Sequence, residues 1–266
     1  MEPRLPRPVA ALALVAAALF LLPLAGLAWR TPWSAVLGEA TSPAVLEALG
    51  LSLRTSLAAT LLALVLGLPL ALWLAAGRTR LRAVVRVLVT LPMVLPPVVA
   101  GVALLLAFGR GGLVGGPLEA LAGWTLPFTW TGVVLAQTYV AAPFLVLTVE
   151  GGLRGLDPRH GRAAATLGAG PWRVLTSVTL PSLAPTLRAG LLVAWARALG
   201  EFGATITFAG NLAGETRTMP LAVYRALEDA PETAIVLSLV LVAVSAAVLF
   251  VLRDRWFPAP SGGGAA

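Results

Sequence analysis

The chain has 266 residues, of which 58% are hydrophobic and only 12% charged, and its mean hydropathy of +0.90 lies far above that of soluble domains. The lack of cysteine and the single histidine exclude disulfide frameworks, thiol nucleophiles and multi-histidine metal sites. All basic residues are arginines, which excludes a lysine-containing phosphate-binding loop and a Schiff base, so any ATP that this protein uses is hydrolysed by another chain.

Six apolar segments are long enough to cross a bilayer core, which takes about 20 residues per helix. The predicted spans are Val9 to Trp29, Thr55 to Ala76, Val84 to Phe108, Thr131 to Val149, Leu187 to Ala209 and Ala234 to Leu252. The first exceeds the apolar core of a signal peptide, usually about 7 to 15 residues, and is therefore interpreted as a spanning helix. We predict an all-α, polytopic protein with about six transmembrane helices.

The positions of the arginines orient these spans, because basic residues in short loops are retained in the cytoplasm. With the N-terminus inside, the larger group is cytoplasmic: Arg4, Arg7, Arg78, Arg80, Arg82, Arg86, Arg154, Arg159, Arg162, Arg173, Arg188, Arg253 and Arg255. The smaller group is external: Arg30, Arg54, Arg110, Arg217 and Arg225. We expect a multi-pass protein of the cytoplasmic (inner) membrane with both termini in the cytoplasm. Arginines scattered between apolar runs do not indicate nucleic-acid binding.

The third span contains three prolines, Pro92, Pro96 and Pro97, which remove amide donors and are expected to kink the helix. Irregular backbone at membrane depth is tolerated where it is buried in protein or faces a water-filled cavity. We therefore interpret these prolines as part of the wall of a permeation pathway, and the alternative is a kink that serves packing alone. In the fourth span, Gln137 and Tyr139 are weaker pathway candidates, because a lone polar residue more often makes a hydrogen bond between helices.

One long cytoplasmic loop, 150–186, is predicted to form two short helices. The pair Asp157-Pro158 supplies an N-cap side chain and a proline at the first helical position. Gly168 provides a left-handed stop, and Pro171 opens a second helix that reaches Leu180-Pro181. The result is an elbow, residues 157–181, in which two short helices meet at a glycine corner.

The elbow resembles the signature loop of ABC importer permeases, usually written Glu-Ala-Ala, three residues, Gly, nine residues, Ile, one residue, Leu-Pro. The segment Arg162-Ala163-Ala164, then Gly168, Val178 and Leu180-Pro181, reproduces every spacing, with arginine for glutamate and valine for isoleucine. This resemblance implies the type I ABC importer permease fold. In that fold the elbow is a coupling helix that sits in a groove on a separate ATP-hydrolysing subunit.

The resemblance also implies which residues contact that subunit: Asp157, Arg162, Ala163, Ala164, Leu167, Gly168, Ala169 and Gly170. Small side chains suit this task because they allow close backbone approach. Arginine at position 162, where the family has glutamate, suits a neutral or acidic partner surface. The alternative interpretation of the elbow is an ordinary interfacial helix on the membrane surface.

In the fifth span, Arg197, Glu201 and Thr205 recur every four residues, which places them on one face of a continuous helix. An arginine near the membrane centre costs about 2.5 to 3.5 kcal/mol, so this face should meet protein, water or a counter-ion. One hypothesis is a polar strip beside the pathway, where Arg197 attracts an oxyanion. The other is that Arg197 and Glu201 neutralise each other and lock the helix against its neighbours. Gly200 and Gly203 would permit close helix approach or local unwinding.

Further segments narrow the resemblance to the molybdate branch of this permease family. They are Ala196 to Phe208, which reads Ala-Arg-Ala-Leu-Gly-Glu-Phe-Gly-Ala-Thr-Ile-Thr-Phe, with Gly214 to Pro220 after it, and Leu91 to Val98 in the third span. Sulfate permeases share the Leu-Gly-Glu-Phe-Gly-Ala part, and tungstate permeases are also similar.

This resemblance implies an importer subunit for an oxyanion, most specifically molybdate, with tungstate or sulfate as alternatives. The chain itself would be no enzyme and would hold no cofactor or metal. The implied complex contains a homodimer of this chain in membrane lipid, two copies of an ATP-binding subunit, and an extracytoplasmic oxyanion-binding protein. The acidic residues of the last outer loop are either solvated or meet that protein: Glu215, Glu228, Asp229 and Glu232. A remote alternative is an intramembrane enzyme with Glu201 as acid or base.

These observations divide the chain into three parts. Residues 1–50 hold the first transmembrane helix and an outer loop. Residues 51–255 form the permease core with its cytoplasmic loop. Residues 256–266 are predicted to be a disordered tail, because they are terminal and end in the small residues 261–266.

Overall fold

The computed structural model describes residues 6–256, with side chains described from residue 6 to residue 250. Its regular elements in this range are α1 (Arg7–Arg30), α2 (Val36–Ala40), α3 (Pro43–Ala75), α4 (Arg80–Thr90), a 3-10 turn (Leu91–Met93), α5 (Pro97–Phe108), α6 (Gly115–Ala122), α7 (Trp130–Gly155), α8 (Pro158–Thr166), α9 (Pro171–Val174), a π-helical segment (Leu175–Thr179), α10 (Leu180–Leu199), α11 (Gly203–Ala209), α12 (Met219–Asp229) and α13 (Pro231–Trp256). The predicted all-α class is confirmed for these residues. The predicted tail lies outside them, except for Trp256.

Within residues 6–256, five helical segments are long and apolar enough to cross a membrane: α1, α3, α7, the continuous segment Pro171–Leu199 that contains α9 and α10, and α13. A sixth crossing is counted when the bent pair of α4 and α5 is taken as one span. The prediction of about six transmembrane helices is therefore confirmed. α3 begins at Pro43, well before the predicted Thr55, because the apolar helix continues into the preceding loop.

The third predicted span, Val84 to Phe108, is not a single kinked helix. α4 and α5 are bent by 119° relative to each other, and the 3-10 turn at Leu91–Met93 lies between them. Pro97 occupies the first position of α5, where its missing amide proton costs nothing. The prolines therefore end one helix and begin another, a larger change of direction than the predicted kink.

The fifth predicted span, Leu187 to Ala209, also divides in two. α10 ends at Leu199, and α11 begins at Gly203 after a short non-helical segment. Within this segment the Glu201 carboxylate accepts a hydrogen bond from the Ala204 amide, 2.8 Å away, in the first turn of α11. A carboxylate in this position stabilises the start of a new helix, because it satisfies an amide that has no intrahelical partner.

The predicted second helix of the elbow does not end at Leu180-Pro181. It begins at Pro171 as expected and continues through the π-helical segment into α10. In that segment the Leu180 amide donates to the Leu175 carbonyl, a bond across five residues. The π turn lets the helix accommodate Pro181, which has no amide to donate. The connection between α7 and α9 is consequently 156–170, shorter than the predicted loop 150–186.

The main core lies between α3, α7 and α10. Its buried side chains include Ala59, Ala63, Leu74, Leu145, Val149, Leu183, Ala194 and Ala198. Small residues allow these helices to approach closely, and a β-carbon placed on Gly190 of α10 would stand 3.0 Å from Leu145 of α7.

Two hydrogen bonds fix other elements to α3. The Ser52 hydroxyl accepts from the Met219 amide at 2.6 Å, which holds the start of α12. The Trp195 indole donates to the Ser56 hydroxyl at 2.9 Å, which connects α10 to α3. α3 therefore holds both α10 and the start of α12 in position.

Candidate functional site

The elbow has the predicted local structure. The Asp157 carboxylate accepts from the Arg159 amide at 2.8 Å, and Pro158 is the first residue of α8. Gly168 has a φ of +85°, the left-handed conformation that favours glycine, and Pro171 then begins α9. The first elbow helix, its cap and its glycine corner are confirmed.

The elbow presents apolar and small residues outward. Leu167 and Trp172 flank the corner with 89% and 76% of their surface exposed. The predicted coupling residues Asp157, Arg162, Ala163, Leu167, Gly168 and Gly170 are exposed, and Ala164 and Ala169 are half-buried. Large apolar side chains exposed at such a corner and at the start of the adjoining helix are typical of a surface that another protein covers.

A second candidate region lies where the two broken helices meet. Gly203, the first residue of α11, lies against Pro97, the first residue of α5, and a β-carbon on Gly203 would stand 2.5 Å from the proline Cβ. Farther along, Gly101 of α5 lies against Thr207 of α11, and its β-carbon would also stand 2.5 Å from the threonine Cβ. The two short helices thus run side by side in the same direction, with their N-termini together.

Arg197 and Glu201 form an ion pair at 2.6 Å, the contact expected from the second of the two hypotheses. The Glu201 side chain is 1% exposed and the Arg197 side chain 30% exposed. The predicted continuous stripe is wrong, because Glu201 lies in the break and Thr205 belongs to α11. The pair therefore connects the last turn of α10 with the start of α11, and Gly200 lies between the two residues, where the local unwinding occurs.

The structure places the three prolines differently from one another. Pro92 is buried in the turn after α4, whereas Pro96 and Pro97 are exposed at the start of α5. Pro97 lies next to the Arg197–Glu201 break, because it packs against Gly203. The third and fifth predicted spans therefore meet at the contact between Pro97 and Gly203.

Two buried polar side chains near these helices have no hydrogen-bond partner within the described part of the chain. They are Gln137 of α7, at both amide atoms, and Thr205 of α11. The hydrogen bond between helices predicted for Gln137 is therefore wrong for these residues. An unsatisfied buried amide is unusual, since burial without a partner costs about 1 to 3 kcal/mol.

The structure also reveals a buried carboxylate that the sequence did not single out. Glu150, near the end of α7, has a side chain only 5% exposed. Arg86 of α4 donates to both its oxygens, from Nε at 3.0 and 3.1 Å and from Nη2 at 2.6 Å. Arg154 donates to the same carboxylate at 2.7 Å, and Arg86 Nη2 also reaches the Leu74 carbonyl of α3 at 3.4 Å. This cluster joins α3, α4 and α7 close to the elbow.

Only part of the Glu150 cluster has a recognisable sequence signal. Glu150 and Arg154 are four residues apart, a spacing that brings side chains together on a helix. Arg86 is 64 residues away from Glu150 in the sequence, so no local pattern predicts their contact.

α12 lies at the end of the helices opposite the elbow, and an arginine of this helix pairs with two of its acidic side chains. Arg225 forms ion pairs at 2.7 Å with both Glu228 and Asp229. The hydrogen bond to Glu228 raises the pKa of the Arg225 guanidinium above its usual range. Two of the four acidic residues predicted to be solvated or to meet a partner are thus already paired within α12. Among the described residues, no group of three or more histidine and acidic side chains is arranged to hold a metal ion.

Comparison with known proteins identifies relatives along most of the chain. A family model described as "Binding-protein-dependent transport system inner membrane component" matches residues 63–258. The molybdenum transport system permease protein ModB of Mycobacterium bovis is 47% identical over 234 residues, which is 88% of this chain and 88% of that protein. ModB of Escherichia coli (strain K12) is 40% identical over 158 residues, which is 59% of this chain and 69% of that protein.

The chain is also similar to a permease with a different printed substrate and to a solved transporter structure. The sulfate transport system permease protein CysT of Escherichia coli (strain K12) is 38% identical over 149 residues, 54% of this chain and 53% of that protein. A chain in the crystal structure of a bacterial ABC transporter involved in the import of the acidic polysaccharide alginate superimposes with a TM-score of 0.72 at 20% identity, covering 95% of this chain and 96% of that one. At this identity the similarity establishes the fold alone.

Proposed function

Because the chain belongs to the family of binding-protein-dependent transport system inner membrane components, we propose that it forms the membrane pathway of an ATP-driven importer for an oxyanion, most specifically molybdate. The chain is a permease subunit, and the family assignment gives no support to the intramembrane-enzyme alternative. The observation that carries the mechanism is the exposed, glycine-cornered elbow with the spacing of the importer signature loop.

The elbow is suited to receive motion from an ATP-binding subunit. α8 and the corner provide the contact surface: Asp157, Arg162, Ala163, Ala164, Leu167, Gly168, Ala169 and Gly170. From Pro171 a helix of 29 residues runs without interruption to Leu199, a distance of about 40 Å. Closure of two ATP-binding subunits would move this rod, and with it the Arg197–Glu201 break at its far end.

The permeation pathway is proposed to pass the meeting point of the two broken helices. Pro92, Pro96, Pro97, Arg197, Glu201 and Thr205 are the candidate residues. Non-helical backbone at membrane depth is tolerated beside a water-filled route, and the N-terminus of α5 contributes a positive partial charge. Arg197 is held by Glu201, which neutralises most of its charge and favours passage of an anion over its tight retention.

The proposed assembly is a homodimer with two ATP-binding subunits and an extracytoplasmic binding protein. α1 buries none of its residues against the described part of the chain, which leaves its surface for lipid or for a second copy. If the elbow meets an ATPase, it lies in the cytoplasm, and both termini then lie there as well. Molybdate is favoured over sulfate because the ModB relative in Mycobacterium bovis matches more of this chain than the sulfate permease, and tungstate is the remaining alternative.

Reconstitution tests this function. The chain is co-expressed with the ATP-binding subunit and the binding protein of its own genome, the complex is placed in liposomes, and uptake of molybdate, tungstate and sulfate is measured with and without ATP. We expect ATP-dependent molybdate uptake by the complex and no ATP hydrolysis by the purified chain alone. Hydrolysis by the isolated chain would refute the transporter-subunit assignment, and uptake of sulfate in preference to molybdate would refute the substrate.

A further inference from the structure

A cavity lined by arginines lies at the same end of the helices as the elbow. It has a volume of about 440 Å³, and its lining residues are Arg78, Thr79, Arg80, Ala83, Arg86 and Arg154. These residues come from the connection between α3 and α4, from α4 itself and from the end of α7. Arg154 is three positions before Asp157, so the cavity adjoins the elbow.

The cavity carries an excess of positive charge. Its lining contains four guanidinium groups and no acidic side chain. Glu150 beneath it accepts hydrogen bonds from Arg86 and Arg154 and neutralises one of these charges. Arg78 and Arg80 are exposed, and the described part of the chain offers neither of them an ion pair. Such a concave site favours an anion, because several guanidinium donors converge on one region.

Arg86 is the fixed element of this site. Its bonds to both oxygens of Glu150 and to the Leu74 carbonyl hold the guanidinium at the junction of three helices. The α4 N-terminus is capped by the Thr79 hydroxyl, which accepts from the Arg82 amide at 3.3 Å, and its partial positive charge adds to the field of the arginines. Guanidinium groups match the oxygens of a phosphate group in geometry as well as charge.

The surroundings of the cavity favour a lipid as the source of that phosphate. α4 exposes Leu81, Val84 and Leu88 to the outside of the chain. Beside it, Arg82 lies over the ring of Trp73 at 5.2 Å, and this tryptophan is itself partly exposed. Tryptophan and arginine next to exposed apolar side chains are typical of the boundary between hydrocarbon and head groups. The cavity therefore has the surroundings that a phospholipid head group requires.

We propose that this arginine cavity binds the phosphate of an anionic phospholipid and that the lipid bridges α3, α4 and α7 beside the elbow. Arg78 and Arg80 supply charge to the head group, and Arg86, positioned by Glu150, supplies a rigid donor. The acyl chains of that lipid pack on the exposed apolar face of α4.

Lipid binding to the purified full-length chain in neutral detergent tests this proposal. The probes are phosphatidylglycerol, phosphatidylcholine and inorganic phosphate, and the readouts are the apparent Kd by native mass spectrometry and the shift in Tm. We expect phosphatidylglycerol to bind and raise Tm, phosphatidylcholine to do so far less, and binding to weaken with added salt. The double variant R78Q/R80Q is expected to bind phosphatidylglycerol about thirty-fold more weakly.

The matched control is R30Q/R110Q, which removes two exposed arginines at other helix ends and should leave lipid binding unchanged. Equal binding of the two lipids by the unaltered chain would overturn the proposal, and this comparison does not depend on whether a variant folds. Retained binding in R78Q/R80Q would equally overturn it. A Tm shift with inorganic phosphate as large as that with phosphatidylglycerol would identify a free anion as the ligand and refute the lipid.

Discussion

Gly203, the first residue of α11, packs so closely against Pro97, the first residue of α5, that a β-carbon on Gly203 would have no room. This contact joins the break in the fifth apolar segment to the break in the third. Both interruptions therefore belong to one structural feature, next to the Arg197–Glu201 ion pair.

Replacing Gly203 by alanine should disturb this contact. The new methyl group would stand 2.5 Å from the Pro97 Cβ, so one helix has to shift, and overpacking of this kind costs about 1 to 3 kcal/mol. We expect a lower Tm of the purified chain and a loss of uptake in the reconstituted complex. Gly200→Ala is the matched control, because its nearest neighbour would be the Ala196 carbonyl at an ordinary 3.6 Å. Equal effects of the two variants would show that the close approach is unimportant.

The glycine corner of the elbow is tested by Gly168→Val. At a φ of +85° a β-branched residue is strongly strained, so the corner should reshape while membrane insertion is unaffected. The expected result is normal expression, loss of co-purification with the ATP-binding subunit and loss of uptake. Gly155→Val serves as control, since Gly155 has open space around it and no positive φ. Normal attachment and uptake in Gly168→Val would contradict the proposed coupling role.

Removing Arg197 should have a larger effect than removing an exposed arginine. Arg197→Ala leaves the Glu201 carboxylate buried without its partner, and such losses cost about 3 kcal/mol. Arg110, which lies 3.8 Å from Glu119 and is mostly exposed, should cost less than about 0.5 kcal/mol when replaced by alanine. Thermal unfolding and uptake of both variants can be compared directly. The special role of Arg197 is refuted by indistinguishable Tm and uptake values.

The Glu150 cluster should contribute substantially to stability. Glu150→Gln removes the charge that pairs with both Arg86 and Arg154, and we expect a loss of about 2 kcal/mol, less than for a fully buried pair because the arginines are partly exposed. Glu119→Gln, at a long and exposed ion pair, provides the control and should leave Tm unchanged. If Glu150→Gln unfolds at the same temperature as the unaltered chain, the cluster does not hold the three helices together.

Removing the Ser52 hydroxyl should lower the stability of the chain more than removing the Ser238 hydroxyl. Ser52→Ala leaves the buried Met219 amide without an acceptor, which costs about 1 to 3 kcal/mol. Ser238→Ala removes only a bond to the Ala234 carbonyl of its own helix, and this carbonyl retains its helical partner. A Tm lowered by Ser52→Ala alone is the expected outcome. Equal Tm values for the two variants would mean that α12 is held to α3 by other contacts.

Local chemistry made the elbow predictable. An aspartate before a proline caps a helix, and a glycine in the left-handed conformation ends one, because each acts within a few residues of itself. Asp157 and Gly168 therefore have in the structure the roles that were expected from the sequence. The same local reasoning did not predict how far the helix after Pro171 extends, since a π turn absorbs the proline at position 181.

The breaks in the spans were harder to predict. Hydropathy treats Leu187 to Ala209 as one apolar segment, although the helix ends at Leu199. The end is stabilised by the Glu201 cap and by the packing of Gly203 on a different helix. A spacing of four residues suggested one stripe through Thr205, but this spacing has meaning only within an unbroken helix.

The helical membrane class and the elbow could be predicted from the amino-acid sequence, because hydropathy and capping are local properties, and the four-residue spacing made an Arg197–Glu201 pair one of two hypotheses. Only the tertiary structure decided that Pro97 meets Gly203, that Arg86 meets Glu150 across 64 residues, and that arginines from α4 and α7 line one cavity. Such contacts depend on how distant helices pack, and packing is a property of the whole chain that no short window of residues contains.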